Sequence, residues 1–322
     1  MQAILFERAG EPAEVLQLRE VPQPEITDQQ VLVAVKARPF NPSDEYFIKG
    51  VYRKKPAFPQ IAGLEASGII SKTGAAVTRF KVGDHVAFRA LNTWAEQCVV
   101  DESALIPVSG DIPFEISAQI PLNFLTAKAL LDESNIQAGE YLLLDAASSA
   151  LAKMVIQMAG VAGIHVIALV RNLAHAEELL GLGAMTVIGQ DDERLEEKIQ
   201  TATQGAGISG FLDAVGGKIV TRVILLMKQY GTIVIYGRYS SEEASFTNAS
   251  IAYKNLTLKG FGIDRWTSLQ TPDRIRAIYK DIVEQISGKK ISTKIAKKVT
   301  LGEFVADYTG LAATSNGKVI LV

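Results

Sequence analysis

The sequence predicts an α/β protein in which a compact β-rich domain is followed by a doubly wound parallel sheet. The chain has 322 residues, of which 48% are hydrophobic, and this length suggests about two domains. Residues 1–110 carry short β-branched runs separated by turn signals. From about residue 115, apolar strands alternate with helical stretches of roughly ten to fifteen residues. The change of period between these regions predicts the two domains.

The first region contains strand runs such as "VLVAVKA" and "ASGIISKTG". Gly10 with Pro12, Pro22 with Pro24, and the pair Gly83-Asp84 supply turns between such runs. Strands with little helix between them favour a largely antiparallel β-domain or partial barrel.

The middle region predicts five strands: "YLLLDA", "HVIALV", "MTVIG", "GFLDAV" and "TIVIYG". Helical spacing of apolar residues appears between them, near 152–162, 173–182, 193–203 and 217–228. Strands separated by such helices pair in parallel through right-handed crossovers, so we expect a doubly wound sheet.

The last region begins with a predicted helix, "TPDRIRAIYKDIVEQI", in which Thr271 is the N-cap and Pro272 occupies the first turn. The chain then ends in "GKVILV", a short strand without an obvious partner in the parallel sheet. We therefore expect the last fifty or so residues to rejoin the first domain.

Composition excludes several classes of function. A net charge of −2 removes the usual electrostatic argument for a nucleic-acid partner. A single cysteine, Cys98, excludes an internal disulfide framework and a thiolate zinc cluster. The N-terminus lacks a signal-peptide pattern, and charged residues interrupt the long apolar run that starts at Leu142. We expect a cytoplasmic protein without a membrane span.

The turn in "LLLDAASSALAKMVIQ" lies between a buried strand and an amphipathic helix and contains no glycine. A helix that begins after a strand can bind a diphosphate through its unpaired amides, and glycine usually permits the close approach. Here alanine is the largest residue at most positions, and Ser148 and Ser149 supply hydroxyl groups. The alternative is a packed turn that binds nothing.

Neighbouring strand ends favour the phosphate-binding interpretation. The second strand of the parallel sheet ends in Arg171, where a cation suits a ribose 2′-phosphate better than a free hydroxyl. The fourth strand is followed by Gly216 and Gly217, and the fifth by Gly237, which allow a ligand to approach the backbone. Arg171 could instead be a solvated residue at a helix start.

Six motifs in order carry a resemblance to a known family: "NPSDEYFIKGVYRKKPAFPQIAGLEASGII", "NTWAEQCVV", "NFLTAKALL", "LDAVGGK", "GTIVIYG" and "LKGFGIDRW". With them the chain resembles zinc-free medium-chain dehydrogenases/reductases over nearly its whole length, namely quinone oxidoreductases and, more closely, trans-2-enoyl thioester reductases. The resemblance implies a GroES-like catalytic domain over 1–114 completed by 266–322. It also implies a Rossmann domain over 115–265, NADPH in the cleft, and a homodimer.

The zinc ligands of the metal-dependent relatives are absent. Asn41 occupies the place of their cysteine and Leu64 that of their histidine, and neither side chain is a thiolate or imidazole ligand. His85, His165 and His175 have no metal-ligand spacing. Alcohol–carbonyl interconversion by the zinc route is therefore excluded.

The resemblance implies hydride transfer from NADPH to an activated C=C, in a 2-enoyl thioester or an enone. Tyr52 matches the tyrosine that donates a proton or stabilises the oxygen, and Asn41 the residue that holds the nicotinamide ribose or the acceptor. Together, the turn, the strand ends and the resemblance predict further cofactor-binding residues: Thr126, Ser148, Ser149, Ala150, Leu151, Ala152, Arg171, Gly216, Tyr236, Gly237, Phe261, Gly262, Trp266 and Lys318.

Two other functions stay open. An NADPH:quinone reductase would use the same fold with a quinone acceptor. The second is a non-catalytic relative with weakened cofactor binding, which Ala150 and Ala152 favour because relatives have glycine at these positions. For Tyr52 the alternative is an ordinary packing aromatic.

Overall fold

The computed structural model describes residues 1–314 and 316–322, which form two compact units. The first unit comprises 1–123, 276–289 and 293–322, and the second comprises 124–275 and 290–292. Among the described residues, none of the helices combines the length and apolar character that crossing a bilayer requires.

The N-terminal part of the first unit is rich in strands. Its strands are β1 (Gln2–Phe6), β2 (Gln17–Glu20), β3 (Gln30–Pro39), β4 (Gln60–Ile61), β5 (Glu65–Thr73), β6 (His85–Arg89), β7 (Gln97–Asp101) and β8 (Leu105–Pro107). Three short helices join them: α1 (Pro12–Val15), α2 (Pro42–Ile48) and α3 (Phe114–Ser117).

The second unit alternates strands and helices, as the sequence predicts. Its strands are β9 (Tyr141–Leu144), β10 (His165–Val170), β11 (Ala184–Gly189), β12 (Ile208–Asp213), β13 (Met227–Ile235) and β14 (Thr257–Gly260). Its helices are α4 (Leu125–Ser134), α5 (Ala150–Val161), α6 (Ala176–Gly181), α7 (Leu195–Ala202), α8 (Lys218–Val223), α9 (Asn248–Ala252) and α10 (Ile263–Ser268).

The C-terminal part completes the first unit. It contains α11 (Pro272–Ser287), β15 (Ile295–Val299), α12 (Leu301–Ala306), α13 (Tyr308–Ala312) and β16 (Lys318–Leu321). Thr271 caps α11 as predicted, since its hydroxyl accepts a hydrogen bond of 3.2 Å from the Arg274 amide. The final strand β16 pairs with β15 in parallel and with β3 antiparallel, through Ile320 opposite Pro39.

The six strands of the second unit form one parallel sheet in the order β11-β10-β9-β12-β13-β14. This is the doubly wound order of a Rossmann fold, with the crevice outside the carboxyl ends of β9 and β12. Leu142–Leu144 and most of β12 are buried, because helices cover both faces of a parallel sheet. The edge strand β14 is an addition to the five predicted strands, and of its four residues Leu258 packs against the core.

Antiparallel pairing dominates the first unit. A sheet runs β15-β16-β3-β5-β6-β8 with β7 paired to β3, and a smaller one has the order β2-β1-β4. The core beside the smaller sheet contains Phe6, Phe47, Trp94 and Phe304. Helix α2 is an addition to the predicted β-domain, and it begins directly after Asn41.

Candidate active site

The glycine-free turn between β9 and α5 adopts a tight conformation despite its sequence. Ala146 has a φ of 45°, in the left-handed region that glycine normally occupies. The amide of Ala147 donates to the Leu169 carbonyl of β10 at 3.1 Å, and the hydroxyl of Ser149 accepts from the Ala152 amide at 3.2 Å. The hydrogen bonds of the turn and the N-cap of α5 therefore compensate for the left-handed alanine.

Three amides of this turn lack an acceptor. In the part of the chain that the structure describes, the N–H groups of Ser148, Ala150 and Leu151 donate to no other residue. All three residues are half-buried. Unpaired amides at the start of a twelve-residue helix fit a diphosphate, although the methyl groups of the alanines restrict the approach.

Arg171 lies directly after β10 and is exposed. The next residue, Asn172, accepts a hydrogen bond of 2.8 Å from the Ala174 amide, so its side chain is used as a cap. Glu178 is paired with the buried Lys153 at 2.8 Å. The end of β10 therefore presents a cation, whereas Glu177 and Glu178 lie in the first turn of α6.

The ends of β12 and β13 approach each other closely. Gly216 has a φ of 77°, which favours glycine. A Cβ on Gly237 would lie 2.6 Å from the Ala214 carbonyl oxygen, so only glycine fits there. The amide of Tyr236 donates to the Asp213 carbonyl at 2.9 Å. These contacts bring Gly216, Tyr236 and Gly237 to one edge of the sheet.

Two buried carboxyl groups lie beneath this edge. Asp145 accepts from the Ala214 amide at 2.7 Å, and Asp213 accepts from the Gly216 amide at 2.7 Å. Burial and the neighbouring Asp213 raise the pKa of Asp145 well above its usual range. Burial thus favours the protonated form of Asp145, and the pair connects β9 to the loop after β12.

The remaining predicted residues of the second unit follow β14 or lie on α4. The amide of Phe261 donates to the Ile235 carbonyl at 2.8 Å, Gly262 is the N-cap of α10, and Trp266 is buried within that helix. Thr126 is a half-buried residue in the first turn of α4.

In the first unit, Asn41 is the centre of a buried polar group that we call the Asn41 cluster: Asn41, Asp44, Glu65, Asn123 and Lys318. The side-chain Nδ2 of Asn41 donates to Glu65 Oε1 at 2.7 Å, and Asn41 Oδ1 accepts from Asn123 Nδ2 at 2.9 Å and from the Lys318 ammonium. The Asn41 side chain is therefore held at both of its polar atoms.

Burial and one cation act in opposite directions on the two carboxyl groups of the Asn41 cluster. Burial raises the pKa of Asp44 to about 7 and that of Glu65 to about 8, and the Lys318 ammonium opposes both shifts. Burial lowers the pKa of Lys318, whereas Glu65 and Asp44 raise it. Asp44 Oδ2 accepts from the backbone N–H of Asn41 at 2.8 Å. The buried Oδ1 of Asp44 has no partner among the described residues.

Tyr52 is half-buried in the irregular segment after α2 and packs against the core around Phe6 and Phe47. Its hydroxyl oxygen accepts a hydrogen bond of 3.2 Å from Nη2 of Arg89, the last residue of β6. The tyrosine therefore has a polar contact in addition to its packing.

The residues at the two positions that bind zinc in the metal-dependent relatives, Asn41 and Leu64, make other contacts here. Asn41 belongs to the Asn41 cluster, and Leu64 packs in the core of the smaller sheet. Among residues 1–314 and 316–322, no group of three His, Cys, Asp or Glu side chains is placed to hold a metal ion.

The structure brings part of the predicted site residues together within each unit. Asn41 and Lys318 are in direct contact in the first unit, and the residues of the turn, Gly216 and Gly237 share the carboxyl edge of the sheet in the second. Lys318 bonds to the Phe40 carbonyl at 3.3 Å as well as to Asn41, so its ammonium is used inside the protein.

Sequence reasoning missed the carboxylates Asp44, Glu65, Asp145 and Asp213, and it missed Arg89 and Asn123. A signal existed for one pair, because Asp145 and Asp213 each end an apolar run, "LLLD" and "GFLD", in strands predicted to lie in one sheet. Arg89 carried no comparable signal.

Comparison with known families agrees with this architecture. The family described as "Alcohol dehydrogenase GroES-like domain" matches residues 27–111, and "Zinc-binding dehydrogenase" matches residues 150–277. A mitochondrial enoyl-[acyl-carrier-protein] reductase of Caenorhabditis elegans is 31% identical over 98% of this chain and 92% of its own.

Solved structures match the whole chain. A putative NADPH:quinone reductase from Bacillus thuringiensis has a TM-score of 0.91 and 27% identity, covering 100% of this chain and 98% of its own. The quinone oxidoreductase of Escherichia coli, complexed with NADPH, has a TM-score of 0.86 and 26% identity, with both chains covered in full.

Proposed function

This chain belongs to the medium-chain dehydrogenase/reductase superfamily, among its enoyl and quinone reductases, and on that premise we propose that it is an NADPH-dependent reductase. Its acceptor is an activated carbon–carbon double bond, as in a 2-enoyl thioester or an enone. The observation that carries the proposal is the set of unpaired amides at Ser148, Ala150 and Leu151, followed at the next strand end by Arg171.

The cofactor would be held mainly by the second unit. The amides of the turn fit its diphosphate, and Arg171 fits its 2′-phosphate. The left-handed Gly216 and the close approach of Gly237 to Ala214 keep side chains away from the edge where the nicotinamide half would lie. Thr126, Tyr236, Phe261, Gly262 and Trp266 are proposed to line it. NADPH supplies the hydride when bound.

Tyr52 is proposed as the catalytic acid. Reduction of the double bond adds a hydride at the β-carbon and then a proton at the α-carbon. After the hydride is added and before the proton is, negative charge develops on the carbonyl oxygen. The phenol can donate a hydrogen bond to that oxygen or its proton to the α-carbon. Asn41, held at both polar atoms by the Asn41 cluster, orients the ribose or the acceptor.

The test combines binding and turnover. NADPH is titrated by fluorescence, and turnover is measured with crotonyl thioesters, an enone and a naphthoquinone for the wild type and Tyr52→Phe. We expect NADPH to bind and Tyr52→Phe to lower kcat with enoyl acceptors by about tenfold or more, with cofactor affinity unchanged. If NADPH does not bind, the protein is a non-catalytic member of the family and not a reductase.

A quinone acceptor is the second candidate, because two NADPH:quinone-reductase-type structures cover this whole chain. A quinone needs no proton delivered to carbon. Turnover with naphthoquinone that exceeds turnover with every enoyl acceptor and survives Tyr52→Phe would favour it.

Three further expectations stay predictions from the resemblance. They are the domain limits 1–114 with 266–322 and 115–265, a homodimer, and a cytoplasmic location. Light scattering of the purified protein tests the homodimer directly.

A further inference from the structure

The hydrogen bond between Arg89 and Tyr52 joins a strand of the first unit to an irregular segment of the same unit. Tyr52 belongs to an irregular segment, 49–59, whose residue Val51 is 67% exposed. Arg89 ends β6, which pairs with both β5 and β8. Backbone hydrogen bonds fix Arg89 in the sheet. The Tyr52 backbone amide donates to the Tyr46 carbonyl at 3.0 Å, so it is the ring and hydroxyl of Tyr52 that depend on side-chain contacts.

Arg89 also faces the Asn41 cluster. Arg89 and Glu65 are directly opposite in the antiparallel pair β5–β6, so their side chains share one face of the sheet. The positive charge of Arg89 opposes the rise in the pKa of Glu65. Glu65 in turn accepts from the side-chain Nδ2 of Asn41 at 2.7 Å. Arg89 thus connects the surroundings of Tyr52 to those of Asn41.

A guanidinium is suited to holding the Tyr52 hydroxyl in one orientation. It has five N–H donors in a rigid plane, no acceptor, and it stays charged at every relevant pH. A lone pair of the Tyr52 hydroxyl that receives the Arg89 N–H cannot accept another proton donor. The hydrogen bond therefore restricts the directions in which the phenol oxygen and its proton can lie.

We propose that Arg89 is a positioning residue that fixes the Tyr52 hydroxyl in the orientation used for catalysis and couples it to the Asn41 cluster. This inference rests on the proposed role of Tyr52. Arg89 itself transfers no proton, since its guanidinium does not lose its proton in proteins.

A double-mutant cycle tests the inference. Arg89→Gln removes the charge and keeps a short polar side chain, and it is made in the wild type and in Tyr52→Phe. In the wild type we expect kcat with a crotonyl thioester to fall about tenfold, which is about 1.4 kcal/mol in the barrier. We expect KM for NADPH to stay unchanged. In Tyr52→Phe, which has no hydroxyl to orient, Arg89→Gln should change kcat less than twofold.

Two variants serve as controls. Arg89→Lys keeps a cation beside Glu65 and should recover part of the lost kcat, because an ammonium can still donate to Tyr52. Arg19→Gln removes an exposed arginine of the same unit, whose Nη2 bonds to Gln17, and should leave kcat unchanged. Thermal unfolding of each variant shows that it is folded. If Arg89→Gln does not fold, the cycle is completed with Arg89→Met, which keeps a long unbranched side chain but has no donor for Tyr52.

The possible results separate this inference from the proposed function. A normal Tyr52→Phe enzyme overturns both. An impaired Tyr52→Phe enzyme in which Arg89→Gln causes the same further loss as in the wild type overturns the positioning role alone. A loss confined to KM for NADPH would also overturn it, because Arg89 would then act on cofactor binding.

Discussion

Asp145 and Asp213 share one backbone donor at the carboxyl edge of the parallel sheet. The Val215 amide lies 3.3 Å from Oδ2 of Asp145 and 3.1 Å from Oδ1 of Asp213. Both side chains are buried, at 0% and 1% exposure. Two buried carboxylates so close repel each other when both are ionised, which favours a proton on one of them.

The first prediction concerns Asp145→Asn. Because the pKa of Asp145 is raised in the folded state, that state binds a proton which the unfolded chain releases above about pH 4. The free energy of unfolding therefore falls as pH rises above that value. Asn can accept from the Ala214 amide and donate to Asp213, so the variant should be more stable at pH 8 by about 1–2 kcal/mol.

Urea denaturation at pH 5 and pH 8 measures this effect. The stability difference between the two pH values should be smaller in Asp145→Asn than in the wild type. Asp191→Asn, which replaces an exposed carboxylate, should leave the difference unchanged. An Asp145→Asn protein with the wild-type pH dependence would show that the carboxyl pair is already fully ionised.

The second prediction concerns the cation of the Asn41 cluster. Lys318→Met leaves Glu65 and Asp44 buried without their ammonium, which should destabilise the fold by about 3–5 kcal/mol at pH 8. The loss should be smaller at pH 6, because the pKa values of about 8 for Glu65 and about 7 for Asp44 leave both carboxyls largely protonated there.

The matched control is Lys297→Met, which removes an exposed lysine from the neighbouring strand β15. It should change stability by less than about 0.5 kcal/mol. Adding Glu65→Gln to Lys318→Met should restore part of the loss at pH 8. Equal losses for Lys318→Met at both pH values would mean that packing of the lysine stem, and not its charge, matters.

The parallel sheet could be predicted from the sequence because its strands are buried on both faces. "HVIALV" matches β10 residue for residue, and the helix expected near 152–162 begins at Ala150, two residues early, where Ser149 caps it. The helix expected over 217–228 is shorter: α8 ends at Val223, and β13 begins at Met227. Apolar residues fit a buried helix and a buried strand equally, so periodicity could not locate that boundary.

The Asn41 cluster could be predicted only in part. Asn41, which the motif resemblance indicated, and Lys318, which was also predicted, are 277 positions apart and meet because β16 pairs with β3. Glu65 lies on β5, and Asn123 lies in the short helical segment Ile120–Phe124 before α4. Contacts that depend on the pairing of distant strands leave no local pattern, and Arg89 is missed for the same reason.

The third prediction concerns Arg171, the exposed cation after β10. Arg171→Ala should weaken NADPH binding about tenfold or more, because a charge-assisted hydrogen bond contributes about 1.5–3 kcal/mol. NADH has no 2′-phosphate, so its affinity should stay nearly constant. Fluorescence titration with both nucleotides measures the ratio, and Arg79→Ala, which removes an arginine stacked on Phe80 in the first unit, is the control. An unchanged preference in Arg171→Ala would remove this residue from the cofactor site.

The fourth prediction concerns the methyl groups of the glycine-free turn. The Ala150 amide is unpaired and its residue is half-buried, so the Cβ of Ala150 limits how closely a diphosphate can approach. Ala150→Gly should lower the Kd for NADPH about threefold to tenfold, while the weaker helix propensity of glycine costs about 1 kcal/mol of stability. Ala162→Gly, at the exposed C-cap of the same helix, should leave Kd unchanged. Titration of both variants decides the matter: if Ala150→Gly binds NADPH no more tightly than the wild type, the methyl group does not limit the approach, and the diphosphate lies elsewhere than on this amide.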